Sequence, residues 1–395
     1  MPVSLPEIRS HLRSAKLDAW LLTDFRGSNA PARRILGAPA CSRRWWYLIR
    51  ADDVALKLEP AVESGVLRDL PGEAIAVSQY EHATEALRPL LRGRTVAMEY
   101  SPGGVNPYVS HVDAGTVERV RALGATVVSS QDLLQHFDAR WTGEQWQSHQ
   151  AASRALLGSF DAAVREAADG IARGMPLTEY EITARCMQRL RSQGMLVEHL
   201  NTSVNEHTAL PHYDPSPQGS SPIRAGDLLL MDHFCRVDRA GGPSTAYADY
   251  TRVYYFGKTP PGEYARAFDA VVRAREAALA EVETACKAGR AIKGKDLDLI
   301  ARRVLIEAGY EGQIAHRTGH NLGTTHVHGN GAHLDAVEHP DDRTLIPETA
   351  FTIEPGVYFA GKFGVRTEIN VYIDERYRPH VTGERPERIE IVSNS

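Results

Sequence analysis

Five side chains able to ligate a metal, Asp232, Asp249, His320, Glu354 and Glu368, fall in the C-terminal half of the chain, on segments that read as strands or loops. Four carboxylates would bring about four negative charges together, which a dry pocket tolerates only if they are protonated or neutralised by cations. Two divalent ions would balance them, the arrangement of a two-metal hydrolase. Oxygen-rich ligands with one imidazole suit a hard or borderline ion, Mn first and Co, Fe or Zn as alternatives, rather than a thiolate-type zinc or copper site.

Strand alternation sorts these residues by face. In Leu228 to Asp232 the aspartate shares a face with leucines, and in Tyr247 to Thr251 Asp249 shares one with Thr251. Arg366, Glu368 and Asn370 point one way while Val365, Ile369 and Val371 line the other side. Such a polar strand face fits an acid-lined cleft in which Arg366 holds a ligand carboxylate in place. Taken singly, each acid would be a surface residue at a hairpin end. Glu354 argues otherwise, because it sits on an apolar strand directly before Pro355-Gly356, and burying it without a partner would cost several kcal/mol.

The elements that must carry these groups are legible from periodicity. Residues 1–138 alternate short apolar runs (18–23, 45–49 and 95–100) with helical ones; Val117, Val120 and Leu123 recur at helical spacing before Gly124. This is a small α/β domain. No cluster of acids and histidines is expected in it, so a structural, oligomerising or substrate-gating role is expected of it. From residue 139 onward two helix pairs, about 144–168 with 179–192 and 262–288 with 297–308, are each followed by strands carrying two of the carboxylates. Thr178-x-x-Glu181 is a capping box, and Gly194 and Gly309 close helices. The layout predicts two similar halves folded face to face, with the acids between their sheets.

Composition excludes other classes. With 45 basic and 50 acidic residues the formal charge is −5, so no global field draws the chain to nucleic acid or to an anionic membrane. No run of 18 apolar residues occurs and the first residues lack a signal-peptide pattern, so a cytoplasmic location is expected. Cys41, Cys186, Cys235 and Cys286 are too scattered for a zinc or disulfide framework and read as small buried hydrophobes. The segment Gly289 to Asp296 nearly spells a phosphate loop but joins two helices, with Asp in place of the required Ser or Thr. The Arg33, Arg34, Arg43, Arg44, Trp45 and Trp46 cluster reads either as a contact for an acidic partner or as a solvated face over two core tryptophans.

The segments His316 to Gly323, Phe351 to Tyr358 and Gly364 to Glu368 closely resemble the motifs of the creatinase and prolidase metallopeptidases. The resemblance implies an α/β creatinase-like N-terminal domain (1–138) and an α+β pita-bread catalytic domain (139–395). Carried over residue by residue, it implies that Asp249 and Glu368 bridge two ions, that Asp232 completes one, and that His320 and Glu354 complete the other. It implies that Glu354 also shuttles a proton, that His328 steadies the reacting carbonyl, that His212 lines the substrate pocket, and that Tyr358 hydrogen-bonds the reacting centre. Arg366 joins them as the residue that positions a ligand carboxylate. The implied activity is hydrolysis of the Xaa-Pro bond in dipeptides or short proline-containing peptides by a homodimer. Other expectations on the same fold are a non-peptide C–N hydrolase, a metal-dependent lyase, or a peptide-binding module without catalysis.

Three features depart from the family pattern. Sixteen residues separate Asp232 from Asp249, predicting an extended loop near 236–245. The interval from His320 to His328 is one residue longer than the family's usual spacing, so His326 competes for the place of His328. The arginine that grips a dipeptide carboxylate has only an offset counterpart in Arg343. His316 is expected to support the site from behind, and His233 to be structural.

Overall fold

The computed structural model describes residues 4–239 and 244–393, and the chain divides into two compact units, Met1–Ala139 and Arg140–Ser395. The first contains α1 (Leu5–Ser14), β1 (Ala19–Asp24), α2 (Ala30–Leu36), β2 (Trp45–Arg50), β3 (Leu56–Pro60), β4 (Glu73–Val77), α3 (Tyr80–Leu91), β5 (Thr95–Met98), α4 (Ala114–Ala122), β6 (Thr126–Ser129) and α5 (Gln131–Leu134), with a π-helical turn at Gln135–Ala139. Its six strands run in the order β4-β3-β2-β1-β5-β6. Successive side chains of a strand face opposite ways, and both faces of β1, β2 and β5 are covered, so these strands are largely apolar, whereas the edge strand β4 is exposed. Trp20, Leu22, Trp45 and Tyr47 pack into one core with Ile8 and Leu12 of α1, whereas Leu21, Trp46 and Leu48 pack into another with Leu87 of α3 and Val117 of α4. Both tryptophans of the basic cluster are therefore core residues.

The expectation that this region lacks an acid and histidine cluster is overturned. Glu7, His11 and His136 come together in space, although His136 lies 125 positions from His11 in the sequence. Separation along the chain hid them.

The second unit contains α6 (Gly143–Ala172), α7 (Glu179–Ser192), β7 (Met195–Leu196), β8 (Leu200–Val204), β9 (Leu228–Val237), β10 (Ala248–Tyr255), α8 (Gly262–Lys287), α9 (Gly294–Glu307), β11 (Thr349–Ile353), β12 (Gly356–Phe359), β13 (Phe363–Arg366), β14 (Ile369–Ile373), β15 (Pro379–Thr382) and β16 (Glu390–Ile391). Capping boxes, Thr142 with Gln145 and Thr178 with Glu181, open α6 and α7. The strands form a β16-β10-β9-β7 sheet with β8 added to β9, a β11-β14-β15 sheet and a β12-β13 hairpin. One core joins α6 and α7 to β8, β9 and β10; a second joins α8 and α9 to β11 through β14. The four cysteines are buried and unbridged. Residues 240–243 of the loop expected at 236–245 lie outside the described residues.

Candidate metal centre

The β9–β10 hairpin has two working faces. Leu229, Met231, Tyr250 and Tyr254 turn toward the core of α6 and α7, and Leu228, Leu230 and Val253 turn toward that of α8 and α9. Asp232, Asp249 and Thr251 continue the second face, with Thr251 directly opposite Asp232. Facing them, the chain leaves β13 at Arg366 and enters β14 at Ile369, and alternation turns Arg366, Glu368 and Asn370 to one side. Thr367 goes the other way and accepts a bond from Arg275 at 2.9 Å. Asn370 clasps the backbone of Asp249, its Oδ1 accepting from the Asp249 N–H at 3.1 Å and its Nδ2 donating to the carbonyl. Buried Arg252 donates to the carbonyls of Thr251, Glu368 and Glu384, at 2.9 to 3.0 Å. Main-chain bonding thus fixes where the acids meet.

His320 and Glu354 are placed by a second pair of segments. The Thr352 N–H donates to the His320 carbonyl at 2.8 Å, and the Glu354 N–H to the Thr318 carbonyl at 2.7 Å. This approach requires Gly319, because a Cβ there would lie 2.1 Å from the Thr352 carbonyl oxygen. The Thr352 hydroxyl accepts from the His320 N–H at 3.0 Å and donates to Glu354 Oε1 at 2.9 Å. Sequence reasoning missed Thr352, whose value depends on cross-segment contacts.

The result is a compact cluster. Asp249, His320 and Glu368 each offer a ligand atom within 4.8 Å of the others, and all three are buried. His320 Nε2 lies 3.4 Å from Asp249 Oδ2 and 3.5 Å from Glu354 Oε1. Asp232 stands at the edge with its side chain 21% exposed, ion-paired to Arg366. Thr251 Oγ1 accepts from Arg366 Nε and lies 3.0 Å from both Asp232 Oδ1 and Glu368 Oε2, yet it has one proton to give.

The electrostatics define what the cluster needs. Desolvation, reinforced by the Asp232 charge, lifts Asp249 well above the usual carboxylate range; desolvation and then Asp249 do the same to Glu368. Desolvation also raises Glu354 to about 7, against the pull of Arg366. His320 is held well below its ordinary value by desolvation and then by His328. Asp249 Oδ1 and Glu368 Oε1 are buried with no hydrogen-bond partner. Unpartnered buried carboxylate oxygens beside a neutral imidazole are the donor set a divalent cation satisfies, and Arg366 alone cannot offset four acids. The residues fit a divalent cation.

Arg366 Nη1 donates to the Tyr358 hydroxyl at 3.3 Å, and that hydroxyl donates to His316 Nε2 at 2.7 Å. His316 Nδ1 lies 2.6 Å from the Arg317 carbonyl, and burial followed by the nearby Arg366 charge lowers its pKa to about 3. It is therefore a neutral support for Tyr358. A tight loop, closed by Gly323 N–H to the Val327 carbonyl and Gly329 N–H to the Asn321 carbonyl, returns His328 edge-on to His320 at 4.3 Å between centroids. His326 is exposed, and it is the His328 ring that packs against that of His320. His212 is exposed and near enough to lower the pKa of both His316 and His328. Its loop is anchored by Glu179, a buried acid that accepts from the Val204 and Ser221 N–H groups and the Tyr213 hydroxyl and pairs with His207. In the sequence Glu179 reads only as a first-turn helix residue. His233 is buried against Phe160 and bonded to Thr202, and Arg343 is consumed by Asp341 and the carbonyls of Asn330 and Gly331.

Residues 149–375, more than half the chain, match the model of metallopeptidase family M24, and the chain belongs to that family. Similar proteins include a probable dipeptidase PepE from Mycobacterium tuberculosis, 31% identical over 204 residues, covering 50% of this chain and 48% of that protein. The match thus spans about half the length of these curated relatives. Its fold resembles that of dipeptidase PepE from Mycobacterium ulcerans, with a TM-score of 0.69 at 22% identity over 98% of this chain and 97% of that one. It also resembles the X-prolyl aminopeptidase of Caenorhabditis elegans, described as a cytosolic enzyme with a di-nuclear active site, at TM-score 0.61 and 16% identity over 95% of this chain and 60% of that one. The architecture is the two-domain pita-bread fold of M24 proteins. Among the described residues no helix is long and apolar enough to cross a membrane.

Proposed function

We propose that this chain is a dinuclear metal-dependent hydrolase of short peptides, cleaving the bond before proline as a dipeptidase or an aminopeptidase. The observation that carries the reading is the buried meeting of Asp249, His320 and Glu368, with partly buried Glu354 beside His320, two carboxylate oxygens left unpartnered and Asp232 at the rim. Bound ions would polarise the scissile carbonyl and make water nucleophilic near neutral pH. Asp232, Asp249, His320, Glu354 and Glu368 would hold them, with Asp249 and Glu368 shared.

The remaining residues divide the work by position. Glu354, raised by burial to about 7, is suited to carry a proton between water and the leaving nitrogen. Arg366 holds Asp232 in place and, with neutral His316, orients the Tyr358 hydroxyl. His328 and His212, exposed at the rim, supply donors to the substrate carbonyl and pocket. Because Arg343 is fully engaged, it is not the clamp for a dipeptide carboxylate, which favours no strict dipeptide limit. Manganese as the ion, a homodimer and a cytoplasmic location complete the proposal; the aminopeptidase described as cytosolic and di-nuclear supports the last and the ion count.

The test is release of products by Mn-loaded protein from an Xaa-Pro dipeptide and an Xaa-Pro-Xaa tripeptide, with Glu354→Gln as control. Turnover of either peptide that disappears in the variant supports the proposal, and the preferred peptide decides between dipeptidase and aminopeptidase. No turnover with two ions bound would refute the proline-peptidase reading and direct attention to non-peptide C–N bonds.

A further inference from the structure

We propose that Glu7, His11 and His136 form a second metal site, on the N-terminal unit, that takes Zn(II). One ligand atom from each residue lies within 4.8 Å of the other two, and His136 Nε2 is 3.3 Å from Glu7 Oε1. Glu7 and His11 are one turn apart on α1, beside the stripe of Ile8 and Leu12 that anchors the helix in the core. His136 reaches them from the π-helical turn at Gln135–Ala139, a wide backbone form that recurs at functional sites.

The imidazoles are held rather than scattered. The His11 and His136 rings lie 3.7 Å apart between centroids, and Phe137 meets both edge-on, at 5.2 and 4.7 Å. Phe137 in turn leans on buried Trp20 at 5.9 Å. Two imidazoles this close repel when both are protonated, and a cation on their lone pairs removes that cost by holding them neutral. Two ring nitrogens and one carboxylate oxygen leave one position of a tetrahedron for water, the ligand count of an open zinc site. Nitrogen-rich donors favour zinc over the manganese suited to the buried, oxygen-rich centre. Glu7 is exposed and both histidines are half-buried, so an ion would reach them from solvent. The ion would tie the first helix to the segment that precedes Arg140.

The full chain, stripped by chelator and then loaded with Mn(II), should be dialysed to equilibrium against Zn(II) beside His11→Ala/His136→Ala and Glu7→Gln. Expected are one zinc fewer per chain in the double variant, at least tenfold weaker binding of that zinc in Glu7→Gln, and unchanged peptide hydrolysis by every Mn-loaded form. Cu(II) placed in the same site should show electron-spin-resonance coupling to two nitrogens that the double variant loses. Equal zinc in wild type and double variant, or no nitrogen coupling that depends on the two histidines, would overturn the proposal. Should the double variant fail to fold by circular dichroism, His136→Gln alone serves the same comparison, with equal zinc again overturning it.

Discussion

The acids and histidines of the two units meet under opposite conditions. In the second unit Asp249, His320 and Glu368 are buried, held by main-chain bonds and by Thr251, Thr352 and Asn370, and their charges lack compensation without an ion. In the first unit Glu7 is exposed and His11 and His136 are half-buried, so water reaches all three. Burial therefore decides how strongly a ligand set demands its metal. The inner cluster is badly balanced without cations, and the outer one has an inexpensive empty state.

The sharpest way to break this contrast is to neutralise an inner ligand. Glu354→Gln should lower peptide hydrolysis by roughly 10²–10⁴-fold while leaving the fold intact by circular dichroism, as for loss of a positioned acid–base group. Gly319→Ala should follow, since its Cβ would collide with the Thr352 carbonyl and displace His320; a stability loss of about 1–3 kcal/mol and weakened Mn binding are expected in denaturant and dialysis measurements.

A pH series on stripped and Mn-loaded protein sharpens the same point. Without ions, Asp249, Glu354 and Glu368 all have folded-state pKa values raised above those of the unfolded chain. Their contribution to stability is fully present below the unfolded value of about 4, and is lost as pH rises, through about 7 for Glu354. The gain in melting temperature on adding Mn should therefore grow from pH 5 to pH 8. A constant gain would mean that these carboxylates do not titrate as a buried cluster.

Smaller effects are expected further from the ions. Thr352→Val removes the link between His320 N–H and Glu354, and kcat/KM should fall about tenfold, the effect of losing roughly 1.4 kcal/mol of hydrogen bonding. His136→Ala should cost about 1 kcal/mol of unfolding stability when zinc is absent, the usual size for truncating a half-buried, packed side chain.

What was legible in the sequence was local. Strand alternation put Asp249 with Thr251 and Arg366 with Glu368 and Asn370, and these pairs of faces do converge. The helix pairs were readable from periodicity and caps, down to the Thr178–Glu181 box. Non-local chemistry was not readable. Thr352 looks like any strand threonine until His320 lies beside it, and Glu179 looks like a helix-start acid until Val204, His207, Tyr213 and Ser221 surround it. His136 and His11 show no relation along the chain because a six-stranded sheet is completed between them. Alternation and helical period report a residue's own face, and only packing reports what that face meets.

The most direct test of the central claim is a crystal of Mn-loaded protein with anomalous scattering recorded at the manganese edge. Two peaks among Asp232, Asp249, His320, Glu354 and Glu368, with Asp249 and Glu368 touching both, are the predicted result. One peak, or none at full Mn occupancy in solution, would contradict a dinuclear centre built from these five residues.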